Sequence, residues 1–192
     1  MIIAGRDRLT GTVEGDATFI GGPEEASHGR ETEKQALVVI AAEQRGQAIG
    51  RIRLQRINDA SADQLMPFIE RSVCAGSQVR TDGWWGYAGL GGYGDEHTSK
   101  TIKDSGMQAH QLLPRVHRVA SLLKRWFLGT LHGGVQHRHL DYDLDEFTFR
   151  FNRRTSRARG FLFDRLLQQA ALTGATPYHN LLGGVDSQDH KM

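Results

Sequence analysis

The sequence predicts a mixed α/β domain, one β-sheet with helices packed on its faces. Three observations predict it. Three β-prone segments follow one another in the first third of the chain. A short strand pattern, SQVRT, comes later, behind an amphipathic helix. The last third is a run of helical patterns. A length of 192 residues suits one domain with a sizeable core. At 39% hydrophobic and 24% charged, the composition is that of a soluble globular chain.

Each element has its own signal. Residues 13–20 carry the β-prone Val13, Thr18, Phe19 and Ile20 and end at Gly21-Gly22-Pro23, which reads as a strand. Residues 24–35 are charged and read as a loop. ALVVIAAEQ (36–44) is a continuous apolar run, as a central strand requires. AIGRIRLQRI (48–57) alternates apolar and basic residues, as in a strand with one wet face. Leu65, Phe68, Ile69 and Val73 recur at helical spacing and predict a helix over 62–74. SQVRT (77–81) is the fourth strand, with Asp82-Gly83 directly after it. WWGYAGL reads as helix or loop, and HTSKTIK (97–103) as a fifth strand. RVHRVASLLKRWFL (115–128) is helical, its stripe made by Val116, Val119, Leu123, Trp126 and Phe127. Two more helices are expected over 143–154 and 161–173. The expected division is a lead at 1–12, a domain at 13–173 and a loose tail at 174–192.

This order of elements is that of the ribonuclease-H-like fold. There, acids on the first and fourth strands lie side by side, and a later helix brings a third ligand. Asp16 lies in the first strand, in VEGDATFIGG, and Asp82 ends the fourth, in TDGWWGY. Two carboxylates held close raise each other's pKa, and a hard cation such as Mg²⁺ relieves the repulsion. No Asp or Glu occurs between Asp104 and Asp141, so the helix at 115–128 offers His117 instead. Lys124 follows two helical turns later on nearly the same face.

Several classes are excluded or disfavoured. The single cysteine, Cys74, rules out an internal disulfide and a Cys-based zinc ribbon, and reads as a buried thiol. The glycines at 91, 92 and 94 are followed by no Lys-Ser/Thr, so they are not a P-loop. His132, His137 and His139 match no strong metal spacing, and His137 and His139 are read instead as added charge near a polyanion. No apolar run approaches the ~20 residues of a membrane span. The start, MIIAGRDRLTG, lacks a signal-peptide core, so a cytoplasmic location is expected.

Charge is uneven. Residues 1–100 carry 11 Lys+Arg against 14 Asp+Glu, and residues 101–165 carry 12 against 6. RFNRRTSRAR holds five arginines in ten residues: Arg150, Arg153, Arg154, Arg157 and Arg159. The guanidinium fork matches phosphate, so this run suggests a polyanion partner beside the plainer reading of a solvated helix face. Trp84, Trp85 and Tyr87 fit two readings equally, stacking on an unpaired base or packing under the sheet edge.

Three segments together resemble the ISXO-like insertion-sequence transposases of the DDE superfamily: VEGDATFIGG, VRTDGWWGY, and RVHRVASLLKRWFLGT followed by LDEFTFRFNRR. The resemblance covers roughly residues 12–165. It implies two-metal DNA strand cleavage with Mg²⁺ or Mn²⁺, then strand transfer by the freed 3′-hydroxyl. It puts Asp16, Asp82 and His117 at the metal and Lys124 at the basic position behind them. Lys124, Arg125, Arg150, Arg153, Arg154 and Arg157 are the expected DNA contacts, and Asn152 with its arginines also reads as helix packing. Transposon ends, target DNA and a second copy of the chain are the expected partners. In this chain Gly15 and Ala17 replace a β-branched residue and an acid of the family pattern. The chain is expected to be a catalytic-domain fragment, or the product of a truncated reading frame, without the family's N-terminal zinc ribbon, so that recognition of transposon ends is missing or supplied by another chain. A DNA-binding remnant without chemistry, or a ribonuclease-H-like nuclease acting on other nucleic acid, are the alternatives.

Overall fold

An apolar run becomes a strand when both of its faces can be covered, and β2 is built that way. The computed structural model describes residues 8–21, 35–92, 96–99 (backbone only), 112–131, 139–158 and 160–172. The strands are β1 (Thr12–Gly21), β2 (Gln35–Arg45), β3 (Ala48–Ile57), β4 (Gln78–Thr81) and β5 (Glu96–Ser99). The helices are α1 (Ala62–Ser72), α2 (Pro114–Leu131), α3 (Leu140–Asn152) and α4 (Gly160–Leu172), with a 3₁₀ helix over Trp85–Gly92. Val38, Ile40 and Ala42 of β2 face the core under α2 and α3. Val39 and Ala41 face the core under α1.

The strand order is β3-β2-β1-β4-β5. The β1–β2 and β2–β3 pairs are antiparallel; β1–β4 and β4–β5 are parallel. This mixed sheet with flanking helices is the ribonuclease-H-like arrangement that the element order predicts. Val116, Val119, Leu123 and Phe127 of α2 pack on one face with Leu144, Phe147 and Phe151 of α3. Leu65, Phe68 and Ile69 of α1 pack on the other with Tyr87 and Leu90. Cys74 is half-buried. The fifth strand covers 96–99; the rest of the expected strand, the tail at 174–192 and most of the loop at 24–35 lie outside the described residues.

β3 is an edge strand, and its outer backbone groups need partners. Asn152, the last residue of α3, supplies them. Its amide accepts from Ile52 N–H at 2.7 Å and donates to Ile52 C=O at 3.1 Å. Arg154 extends the cover by donating to the carbonyls of Gly50 and Ile49, while its guanidinium stacks on the Phe151 ring at 3.9 Å. The FNRR segment therefore seals the sheet edge.

Candidate active site

The parallel pairing of β1 with β4 fixes where the two strand acids meet. Thr12, Val13 and Glu14 stand opposite Gln78, Val79 and Arg80. β4 ends at Thr81, one residue past the last position paired with β1, so Asp82 leaves the strand end on the Asp16 side, near enough for its charge to act on the Asp16 carboxyl. Asp16 is largely buried, its side chain 18% exposed. The hydrogen bond recorded for its carboxylate is the 2.7 Å one from the neighbouring Ala17 N–H. Burial and then the Asp82 charge raise the Asp16 carboxyl to about 6, against the pull of the Ala17 N–H. Asp82 Oδ1 accepts from Trp84 N–H at 3.0 Å across Gly83, whose φ of 82° suits glycine.

The third side arrives on α2. His117 Nε2 lies 3.9 Å from Asp16 Oδ2. The helix is held there by a residue that the sequence reading passes over. Glu14 is fully buried on β1, on the same face as Asp16. Its carboxylate accepts from Arg115 N–H at 2.7 Å, Val116 N–H at 3.1 Å and Arg115 Nη1 at 2.9 Å. A signal for it does exist in the sequence. Leu112-Leu113-Pro114 gives α2 no capping side chain, so its first N–H groups must find an acceptor elsewhere.

Among the described residues, no group of three His, Cys, Asp or Glu side chains is drawn up tightly enough to hold a metal ion as it lies. The two carboxylates nevertheless fit a hard divalent cation in kind, as oxygen donors with few internal hydrogen bonds, while the imidazole nitrogen is the softer donor of the three. Ala17 packs against the α1-side core, on the opposite face of β1 from Asp16. The acid of the family pattern is therefore replaced at a position that faces away from the pair. A Cβ at Gly15 would meet Ile69 and Thr81 at 3.7 and 3.9 Å, ordinary contact distances.

The remaining expected residues divide into engaged and exposed. Lys124 and Arg125 are exposed on α2. Arg150 pairs with Glu146 one turn back at 2.6 Å and stays exposed, as does Arg157. Arg153 stacks on Phe149 at 3.9 Å. Arg154 carries the backbone contacts of the sheet edge, so any phosphate contact competes with them. His139 precedes α3 without a side-chain capping bond, and His132 and His137 lie outside the described residues. The aromatic residues after Asp82 separate. Tyr87 is buried, and its hydroxyl has no hydrogen-bond partner among the described residues. Burial, then the Asp16 and Asp82 charges, hold the Tyr87 proton in place. Trp84 and Trp85 are 46% and 61% exposed. Trp84 is pinned by its indole N–H on Ala60 C=O at 2.7 Å, and the two rings tilt at 43° with centroids 5.9 Å apart.

No helix among the described residues is long and apolar enough to cross a membrane. No curated protein matches the sequence. The family model of the ISXO2-like transposase domain matches residues 8–152, from just before β1 to the last residue of α3. Asp16, Asp82, His117 and Lys124 lie inside the matched stretch, and Arg153, Arg154 and Arg157 lie beyond it. Domains of this kind are typically catalytic, generally use divalent metals and imply DNA binding. The chain belongs to the ISXO2-like transposase domain family, DDE-type domains of mobile elements.

Proposed function

We propose that this chain is a catalytic transposase domain that cleaves DNA strands at the ends of an insertion sequence and transfers the freed 3′-hydroxyl to target DNA. The observation that carries the reading is the carboxylate pair. Asp16 is buried, feels the Asp82 charge and is short of donors, with His117 at 3.9 Å. In the folded protein such a pair is stabilised by added positive charge. Asp16, Asp82 and His117 would hold Mg²⁺ or Mn²⁺. When bound, the metal supplies Lewis-acid charge to the phosphodiester and lowers the pKa of the attacking water or hydroxyl.

The chain's own residues do the rest. Asp16 and Asp82 provide the negative charge that collects the cation. His117 offers a neutral donor that adds no further repulsion. Lys124, two turns along α2, meets the DNA backbone, and Arg125, Arg150, Arg153 and Arg157 extend that contact. Arg154 joins them only where phosphate displaces its carbonyl partners. Trp84 and Trp85 offer stacking faces beside the cleavage point for a base that has left the duplex. The working unit is taken as residues 13–173, acting as a homo-oligomer on paired ends.

The test is nicking of supercoiled plasmid and transfer of a 3′-hydroxyl end, with Mg²⁺ or Mn²⁺, by wild type and Asp82→Asn. Metal-dependent nicking and transfer, both lost in D82N, are expected. Nicking without transfer would make the chain a nuclease. DNA binding without nicking would make it a remnant.

A further inference from the structure

We infer that Glu14 is a positioning residue: its carboxylate docks the first turn of α2 onto β1 and so sets His117 against Asp16. The inference rests on the catalytic reading above for its consequence, and on separate geometry for its substance.

Burying a carboxylate completely is costly unless its lone pairs are met. Glu14 is fully buried, and three donors meet it. Two of these are the first backbone N–H groups that α2 has to offer, because Pro114 has none. The next, His117 N–H, already bonds to Leu113 C=O at 3.1 Å. The opening turn of α2 is thereby satisfied through Glu14. The negative charge also lies where the helix dipole favours it.

An ordinary cap comes from the residue just before the helix, and fixes the helix end without fixing its place in the fold. This cap comes from 101 residues away, off the strand that carries Asp16. Glu14 lies two residues from Asp16, roughly 7 Å along the strand. On the helix side, His117 directly follows the capped Val116. Both members of the His117–Asp16 pair are therefore tied to one carboxylate by very short lengths of chain. Arg115 adds a second anchor, donating to Gly46 C=O at 2.9 Å in the β2–β3 turn. Internal donors already occupy both Glu14 oxygens, so Glu14 orients the site and does not join the metal-binding set.

The test pairs Glu14→Gln with His117→Ala in a double-mutant cycle read by Mn²⁺ affinity in calorimetry and by plasmid nicking. E14Q is expected to lower both by about 10–100-fold in the wild-type background, as loss of an orienting partner does. It should change little once His117 is gone. An equal loss in both backgrounds would overturn the inference, because a purely structural cap does not act through His117. If E14Q does not fold, Glu14→Asp, which keeps the charge but shortens the reach, takes its place. Proton NMR of the metal-free protein gives a readout independent of activity. The contact between the His117 ring and Asp16 should be present in wild type and lost in the Glu14 variant, and a contact that persists overturns the inference. Wild type that neither binds Mn²⁺ nor nicks would sink the catalytic reading alone, leaving the NMR contact to decide the positioning claim.

Discussion

Glu14 and Asp16 stand two residues apart on one face of one strand, and the fold treats their carboxylates in opposite ways. Glu14 is buried among three donors. Asp16 has the N–H of its own neighbour, faces a second acid, and is raised to about 6. Glu43 of β2 belongs with Glu14. Burial alone would raise it, but the Arg51 side chain, the Arg51 N–H and the Thr10 N–H outweigh that and lower it to about 2. Its side chain lies across Gly50, where a Cβ would come within 2.6 Å of Glu43 Oε2. Acids with full donor sets hold this fold together. The pair left short of donors is the one proposed to take a cation.

The largest effect expected is on that pair. Asp16→Asn or Asp82→Asn should cut metal-dependent nicking about a thousandfold or more, the several kcal/mol a Lewis acid supplies. Asp16→Asn should at the same time stabilise the metal-free protein by about 1–3 kcal/mol, since it removes a charge that folding disfavours. Urea denaturation in EDTA checks this, and a destabilised D16N would break the comparison.

Next comes the aromatic platform. Trp85→Ala should weaken binding to DNA with an unpaired end by about 1–3 kcal/mol, and binding to blunt duplex much less. Fluorescence anisotropy with the two substrates measures the difference. Equal losses on both would assign Trp85 to general packing.

Glu43→Gln should cost about 1–2 kcal/mol of stability at pH 7, after allowing for solvent screening. The pH dependence sharpens the contrast because the two acids act with opposite sign. The Glu43 contribution is fully present above 4.5 and is lost as pH falls towards 2. The Asp16 penalty is present above about 6 and is relieved as pH falls towards 3.8. Denaturation curves in EDTA should show E43Q flattening the lower window and D16N the upper one. The smallest effect belongs to the arginines. Arg157→Ala should reduce the salt dependence of DNA binding by about one unit of slope, with the preference among DNA sequences unchanged.

Much of this was legible in the sequence, for reasons that differ by element. The 48–57 strand matches β3 in its bounds because its alternation carries a period-two signal, which does not reveal the register shift opposite it between Ala42 and Gln44. The apolar stripes of α1 and α2 are the ones buried, because helical spacing fixes their faces. The meeting of Asp16 and Asp82 follows from strand order. Glu14 was not legible as a cap, because its partners are over a hundred residues away and a lone acid in a strand carries no periodic signal. The joint clue was an uncapped α2 together with a second acid on the Asp16 face. In the sequence the FNRR segment reads partly as a DNA contact, because arginine runs suit phosphate. Its sealing of β3 depends on which strand lies at the edge, a property of the assembled sheet. The tryptophans and Tyr87 could be separated only once their exposure was known.

The most direct measurement is a calorimetric titration of Mn²⁺ into wild type and Asp82→Asn at pH 7.5. Asparagine keeps the oxygen that accepts from Trp84 N–H, so the turn after β4 survives while the charge is lost. The account predicts saturable binding to wild type that weakens as pH falls through about 6, where protons compete for Asp16, and no binding to D82N. Equal binding by both proteins, or none by wild type with DNA present, would contradict the claim that this carboxylate pair is the metal site.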